Sequence, residues 1–282
     1  MRVGVVGGGL MGSGIAEVCA RSGVDVTVVE VDPGRAERSQ AAIAKSLDRG
    51  VRAGKLAEED RKAALDRLVF TSALEDVAGA DAAIEAIIED ETAKRALFAR
   101  LDELLPDARF LASNTSSVPI MKLGAGTSKP DRVLGLHFFN PVPVLPLVEI
   151  VHSIMTGDEV AGEARQFAEE TLGKTCIDSQ DRAGFVVNAL LIPYLLSAIR
   201  MYESGFASKE DIDSGMKLGC AHPMGPLALS DLIGLDTLQA VADSLYEEFR
   251  DPASVAPALL NRMVEAGLMG RKSGRGFYDY SR

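Results

Sequence analysis

The stretch Arg2-Val3-Gly4-Val5-Val6-Gly7-Gly8-Gly9-Leu10-Met11-Gly12 decides the fold. A short apolar run, three consecutive glycines and a helical pattern running from Leu10 to Ser22 read as strand, tight turn and helix. Gly7, Gly9 and Gly12 fit G-x-G-x-x-G. The first glycine allows the turn, the second lets backbone N–H groups approach a pyrophosphate, and the third lets helix pack closely on strand. The helix start, at Leu10 and Met11, then offers orphan N–H groups and a positive dipole end to phosphates. Such a glycine pattern is weak by itself, but an acid at the end of the following strand completes the dinucleotide fingerprint. Glu30 supplies it, 23 positions after Gly7. A carboxylate there accepts hydrogen bonds from an adenosine ribose and repels a 2′-phosphate, so NAD is expected rather than NADP. Asp32 is placed to share that role and Arg35 to soften the discrimination.

Working outward, strands alternate with helices for roughly the first 180 residues, the pattern of a parallel sheet covered by helices. After Arg2 to Val6 and Asp25 to Glu30, further strands are expected at Leu68 to Thr71, Ala82 to Ala86, Phe110 to Ala112, Val133 to His137, Leu147 to Val151 and Thr175 to Ile177. Helices include Glu91 to Leu105 and Glu159 to Leu172. Pro33 to Leu65 is too long for an ordinary crossover, and its pattern is helical on both sides of Ala53-Gly54. It reads as an inserted helical hairpin, with Glu58-Glu59-Asp60 in a first helical turn where negative charge favours the dipole. Beyond Asp181-Arg182-Ala183-Gly184 the strand pattern stops. Phe185 to Glu203, Lys209 to Leu218, Leu227 to Ile233, Asp236 to Arg250 and Pro257 to Ala266 all read as helices. The first of these is apolar on nearly every side, which predicts a bundle centre or a helix covered by a second subunit.

The expected class is α/β. A Rossmann-type, mostly parallel sheet with an inserted helical hairpin (about residues 33–66) forms an NAD-binding domain over 1–183. An all-α C-terminal domain for substrate and dimerisation covers 184–282.

Bulk properties narrow the function. No stretch approaches the roughly 18 apolar residues a membrane span needs, and the N-terminal apolar run breaks at once into glycines, so a cytoplasmic protein is expected. The net charge of −11 disfavours nonspecific nucleic-acid binding. Cys19, Cys176 and Cys220 are odd in number and widely spaced, which indicates neither a disulfide framework nor a metal cluster. All three are expected to be plain buried or half-buried thiols.

His137-Phe138-Phe139-Asn140-Pro141 precedes an apolar run from Val142 to Val151 that carries one ionisable group, Glu149. An imidazole has an unperturbed pKa of about 6.5 and makes a suitable base near neutral pH. Beside a nicotinamide, such a base points to oxidation of an alcohol, with Glu149 on the second ring nitrogen to fix the tautomer. A lone histidine on an apolar strand is more often a satisfied core residue. Here Glu149, the cluster Ser113-Asn114-Thr115-Ser116-Ser117 and Asn188 in the most apolar helix are each costly to bury alone, at roughly 1–3 kcal/mol. Convergence with His137 on one pocket would satisfy them. His222, before Pro223, reads as a turn or helix-start residue, and His152 as solvated.

These residues carry a family resemblance. The glycine turn, Asn114-Thr115-Ser116-Ser117, His137-Phe138-Phe139-Asn140-Pro141, Gly184-Phe185-Val186-Val187-Asn188, His222-Pro223-Met224-Gly225-Pro226 and Gly270-Arg271-Lys272-Ser273-Gly274-Arg275-Gly276-Phe277-Tyr278 together resemble the L-3-hydroxyacyl-CoA dehydrogenases, nearest to the bacterial 3-hydroxybutyryl-CoA dehydrogenases. The resemblance implies interconversion of (S)-3-hydroxyacyl-CoA and 3-oxoacyl-CoA with NAD. By position it implies His137 as catalytic base, Glu149 as its partner, and Ser116 and Asn188 as groups that hold the substrate. It further implies Glu89, Lys94, Asn140 and Ser116 as cofactor contacts. The hairpin would hold the CoA moiety, with Arg49, Arg52 and Lys55 as its cations. Ala53 stands where many relatives carry a lysine, and Ala189 where an arginine is common. A same-fold dehydrogenase of a free hydroxy or sugar acid, or a non-catalytic NAD-binding protein, are the alternatives. A homodimer is the expected assembly.

Overall fold

A computed structural model of the chain describes residues 1–281. The described residues divide into two compact units, Met1–Arg182 and the residues from Ala183 onward.

The first unit is built on one eight-stranded sheet in the order β3-β2-β1-β4-β5-β6-β7-β8. The strands are β1 (Arg2–Val6), β2 (Asp25–Val29), β3 (Leu68–Thr71), β4 (Ala82–Glu85), β5 (Phe110–Ser113), β6 (Val133–Phe138), β7 (Leu147–His152) and β8 (Thr175–Gln180). Every neighbouring pair is parallel except β6 with β7. Both faces of the central strands are covered, so β1, β4 and β6 read as near-continuous apolar runs rather than alternating ones. Helix α1 (Leu10–Arg21) packs on the sheet, with Ile15, Ala16 and Cys19 in the same core as Val3, Val5, Val26 and Val28. This is the Rossmann-type sheet that the glycine turn predicts.

The long connection after β2 is a pair of helices, α2 (Pro33–Arg52) and α3 (Glu58–Asp66). Pro33 opens α2, and Asp32 caps it by accepting the Arg35 N–H at 2.9 Å. Buried Ile43 and Leu47 lie one turn apart and tie α2 to the core. Helix α4 (Glu91–Leu104) follows β4. After β5 the chain makes a short helix, α5 (Ile120–Gly124), which the sequence pattern does not show. Its first N–H groups, of Ile120 and Met121, donate to the Asp181 carboxylate at 2.8 and 2.7 Å. Helix α6 (Asp158–Gln166) ends in a π-helical turn, Phe167–Thr171.

The second unit is helical: α7 (Val187–Glu203), α8 (Lys209–Gly219), α9 (Pro226–Ile233), α10 (Leu235–Phe249) and α11 (Ala258–Glu265). Leu195, Leu196, Ile199, Leu227, Leu238 and Leu260 are among its buried core residues. The helix expected from Phe185 starts two residues later. Gly184 and Phe185 both have positive φ, 74° and 47°, and a left-handed backbone cannot propagate a right-handed helix.

The terminal glycine-rich segment is fastened by a buried carboxylate. Asp231 on α9 accepts the Phe277 and Tyr278 N–H groups, each at 2.9 Å, and the Tyr280 hydroxyl at 3.0 Å. A Cβ on Gly276 would lie 1.9 Å from Asp231 Oδ1, and one on Gly270 would lie 2.3 Å from the Asp231 carbonyl oxygen. Only glycine fits at either place, which gives that motif a packing cause.

Two expectations need correction. Cys19 is buried and Cys176 half-buried, their thiols pushed up by burial to about 12 and about 11, but Cys220 is exposed. His152 is not simply solvated either. It ends β7 and lies within hydrogen-bond range of Asp178, at 2.8 Å, and Asp178 also receives Arg165 at 2.6 Å.

Candidate active site

The functional side chains of the first unit stand where its strands end, the edge at which doubly wound sheets hold their ligands. At the end of β1, Gly7 has φ 96° and donates its N–H to the Val29 carbonyl at 2.8 Å. A Cβ on Gly12 would meet the Gly7 carbonyl oxygen at 1.7 Å, so α1 can approach the turn only because residue 12 has no side chain. Gly9 is different. Nothing lies within 4 Å of where its Cβ would be, and no side chain caps α1. The first-turn N–H groups at Leu10 and Met11 therefore face an open cradle, the setting a pyrophosphate requires.

Glu30 follows β2 and accepts the Gly8 N–H at 2.9 Å and the Val31 N–H at 3.2 Å. Asp32 is committed to its helix cap. A cavity of about 550 Å³ opens beside the turn, lined by Gly9, Glu30, Arg35, Arg38, Arg49 and Asn140 among others. It thus joins Glu30, the glycine turn and three cations of α2, Arg35, Arg38 and Arg49. Arg52 and Lys55 are not in its lining and stand exposed around the turn between α2 and α3. Arg38 has no place in the sequence reading. It lies one turn after Arg35 on the same face of α2, a relation visible only once the helix register is known.

Further along the strand ends lies a buried ionic network. Lys94 on α4 is 1% exposed, and its ammonium lies 2.5 Å from Glu85 Oε1 and 3.1 Å from Glu89 Oε2. Glu85 Oε2 accepts the Ser113 hydroxyl at 2.5 Å. Glu89 Oε1 accepts the Thr115 hydroxyl at 2.5 Å, the Ser116 and Ser117 N–H groups at 2.9 and 3.0 Å, and the Ser117 hydroxyl at 2.9 Å. Burial pushes the Glu89 carboxyl up, but the Lys94 ammonium and the Thr115, Ser116 and Ser117 donors outweigh it and hold the pKa below the usual value. The turn carrying Ser116 is therefore shaped by Glu89, and Lys94 reaches that turn through Glu89. Sequence reasoning missed Glu85. Its signal was a carboxylate closing the buried run Ala82-Ala83-Ile84.

His137 and Glu149 are paired residues of the antiparallel β6–β7 ladder. Both are buried, and His137 Nδ1 lies 2.6 Å from Glu149 Oε2. A carboxylate can only accept, so this bond assigns the proton to Nδ1 and leaves Nε2 as the basic nitrogen. The Phe139 ring meets the imidazole edge-on, with centroids 4.6 Å apart. Asn140 and Pro141 follow, and Lys174 donates to the carbonyls of Val142 and Leu145 at 2.6 and 2.8 Å, holding the loop that returns the chain to β7. Asn188 belongs to the second unit, half-buried in the first turn of α7.

An open glycine turn, a carboxylate bonded back to it and a carboxylate-supported imidazole on one sheet define a nicotinamide dinucleotide-dependent dehydrogenase. Comparison with known proteins carries this further. The model of the 3-hydroxyacyl-CoA dehydrogenase NAD-binding domain matches residues 2–182, and that of the 3-hydroxyacyl-CoA dehydrogenase C-terminal domain matches residues 184–280. The chain is 57% identical over 281 residues to a 3-hydroxybutyryl-CoA dehydrogenase of Mycobacterium tuberculosis, covering 99% of this chain and 98% of that one. The crystal structure of M. tuberculosis FadB2 superposes with a TM-score of 0.97 at 57% identity, covering 99% of this chain and 98% of the other. That of (S)-3-hydroxybutyryl-CoA dehydrogenase PaaH1 from Ralstonia eutropha gives 0.93 at 44% identity, covering 100% and 99%. The chain belongs to the 3-hydroxyacyl-CoA dehydrogenase family. It is an NAD-dependent oxidoreductase.

Proposed function

We propose that this protein interconverts (S)-3-hydroxyacyl-CoA and 3-oxoacyl-CoA, acting on short chains such as the 3-hydroxybutyryl group, with His137 as general base and acid. The observation that carries the reading is the buried 2.6 Å bond between His137 Nδ1 and Glu149 Oε2, on the same sheet as the dinucleotide cradle. In oxidation, His137 Nε2 takes the proton of the substrate 3-hydroxyl as the C3–H bond breaks. Bound NAD supplies the acceptor for the hydride. Glu149 stabilises the imidazolium that forms and keeps the ring oriented. In reduction the same imidazolium returns its proton to the 3-oxo oxygen. Ser116, held by Glu89, and Asn188 are assigned to orient the substrate near its β-oxygen and thioester. Glu30 accepts the adenosine ribose hydroxyls, and the open helix start at Gly9, Leu10 and Met11 receives the pyrophosphate over the turn that Gly7 and Gly12 shape. Glu89 and Asn140 form the nicotinamide side, with buried Lys94 behind Glu89 rather than in direct contact. Arg49, Arg52 and Lys55 are assigned to the CoA phosphates, and only Arg49 lines the cavity near the turn.

A homodimer through the second unit accords with its large exposed apolar side chains, Leu190 at 73%, Phe206 at 78% and Leu218 at 86%. No described helix is long and apolar enough to cross a membrane, and the cysteines form no disulfide among the described residues. Both accord with a cytoplasmic site of action.

The direct assay follows nicotinamide absorbance with acetoacetyl-CoA and NADH, beside free acetoacetate and beside NADPH. Turnover confined to the CoA ester with NADH is expected. Turnover of free acetoacetate at the same rate would overturn the CoA assignment.

A further inference from the structure

We propose that Asn114 is a positioning residue for the catalytic histidine, acting through the backbone of β6. The β5–β6 ladder registers Leu111 with Val133, Ala112 with Leu134 and Ser113 with Gly135, and there it stops. His137 lies two residues past the last pair. β5 ends at Ser113 while β6 runs on to Phe138, so the β5-facing edge of β6 beside His137 has lost its strand partner. A buried backbone N–H left without an acceptor is costly. Asn114 supplies one, its Oδ1 accepting the Phe138 N–H at 2.8 Å. The side-chain amide thereby continues the ladder for one more rung. On the other edge, β7 holds His137 and Phe138 opposite Glu149 and Val148.

Asn114 is itself held in place. Its N–H donates to the Glu85 carbonyl at 2.8 Å. The preceding Ser113 hydroxyl donates to the Glu85 carboxylate at 2.5 Å, and the following Thr115 hydroxyl to Glu89 at 2.5 Å. The network around Lys94 thus fixes residues 113–115, and Asn114 transmits that position across to β6. Because the Phe138 N–H is a donor, the atom facing it must be the amide oxygen, which settles the orientation of the carboxamide. A Glu149 bond sets the direction of the imidazole, and the Asn114 bond sets where its Cα stands.

The kinetic arm of the test rests on the dehydrogenase reading above, and the spectroscopic arm does not. Asn114→Ala removes the acceptor, and Asn114→Asp keeps one. With acetoacetyl-CoA and NADH, the Ala variant is expected to lose roughly 10- to 100-fold in kcat, as small displacements of a catalytic group do, with both KM values near those of the wild type. The Asp variant is expected to recover most of kcat at its own optimum, with the pH profile displaced upward by the added negative charge. The chain has three histidines, so the His137 Nδ1 proton can be assigned by NMR through His137→Gln. That resonance is expected to shift or broaden in Asn114→Ala and to return in Asn114→Asp, whatever the substrate. An unchanged kcat in the Ala variant, a rise in KM alone, an Asp variant as slow as Ala, or an unmoved Nδ1 resonance would each overturn the proposal. If Asn114→Ala does not fold, Asn114→Ser carries the same comparison against Asn114→Asp. An inactive wild type with an intact Nδ1 signal that responds to these variants would sink the substrate assignment and leave the positioning role standing.

Discussion

Glu149 stands directly opposite His137 in the antiparallel β6–β7 register, and its carboxylate oxygen lies 2.6 Å from the imidazole Nδ1. Two adjacent strands of opposite direction set this contact, so the imidazole is oriented by the sheet itself and not by a loop. Glu149→Gln retains the shape but offers no negative charge to an imidazolium and can present an N–H where an acceptor is needed. A fall in kcat of roughly 10²–10⁴-fold is expected, with NADH affinity retained. Unchanged turnover across the pH range would contradict the pairing.

Glu30 reaches back to the glycine turn through the Gly8 N–H, which places a carboxylate beside the open space at Gly9. For Glu30→Ala, KM for NADH is expected to rise about tenfold or more, the worth of a hydrogen bond to a charged group at ~1.5–3 kcal/mol. The NADH-to-NADPH preference should narrow as well. Steady-state kinetics with both cofactors decides, and an unaltered ratio would mean that the acid does not read the ribose.

The Glu89 carboxyl has its pKa held below its ordinary value of 4.5 when folded. A carboxyl depressed in the native state contributes stability above its unfolded pKa and loses it as pH falls through the folded one. The stability gap between wild type and Glu89→Gln should therefore shrink as pH is lowered from neutrality to below about 4.5, measured by urea unfolding. With 38% of its side chain exposed, water screens part of the attraction, and the gap is expected to be modest. A gap that widens in acid would reverse the assigned sign.

Asp231 accepts three donors from the terminal segment. In Asp231→Asn one oxygen becomes an N–H2 group and meets donors, so at least one buried bond is lost. A destabilisation of about 1–3 kcal/mol is expected, visible as a lowered denaturation midpoint. Stability equal to wild type would mean that the terminal segment is held by other contacts.

What could be read from the sequence follows the range of the interactions involved. Gly7 and Gly12 were legible because a local steric rule demands them, and His137 and Glu149 because an ionisable group in an apolar strand is conspicuous. Glu85 and Asn114 were less so: their roles depend on which residues β4, β5 and β6 bring side by side. The true start of α7 was hidden because Phe185 and Val186 continue the apolar run, while Gly184 and Phe185 take left-handed backbone set by the packing around them. Helix α5 is too short to show a periodicity, and its Asp181 cap is remote in sequence. Cys220 illustrates the opposite error, a residue type usually buried that is exposed here.

The proposed reaction turns on His137 as both base and acid. The most direct measurement is turnover of acetoacetyl-CoA with NADH by His137→Ala, beside a fluorescence titration of NADH binding to the same variant. A loss of roughly 10²–10⁴-fold in kcat is expected, with NADH bound as tightly as by wild type. Near-wild-type turnover in a variant that binds NADH normally would contradict that role.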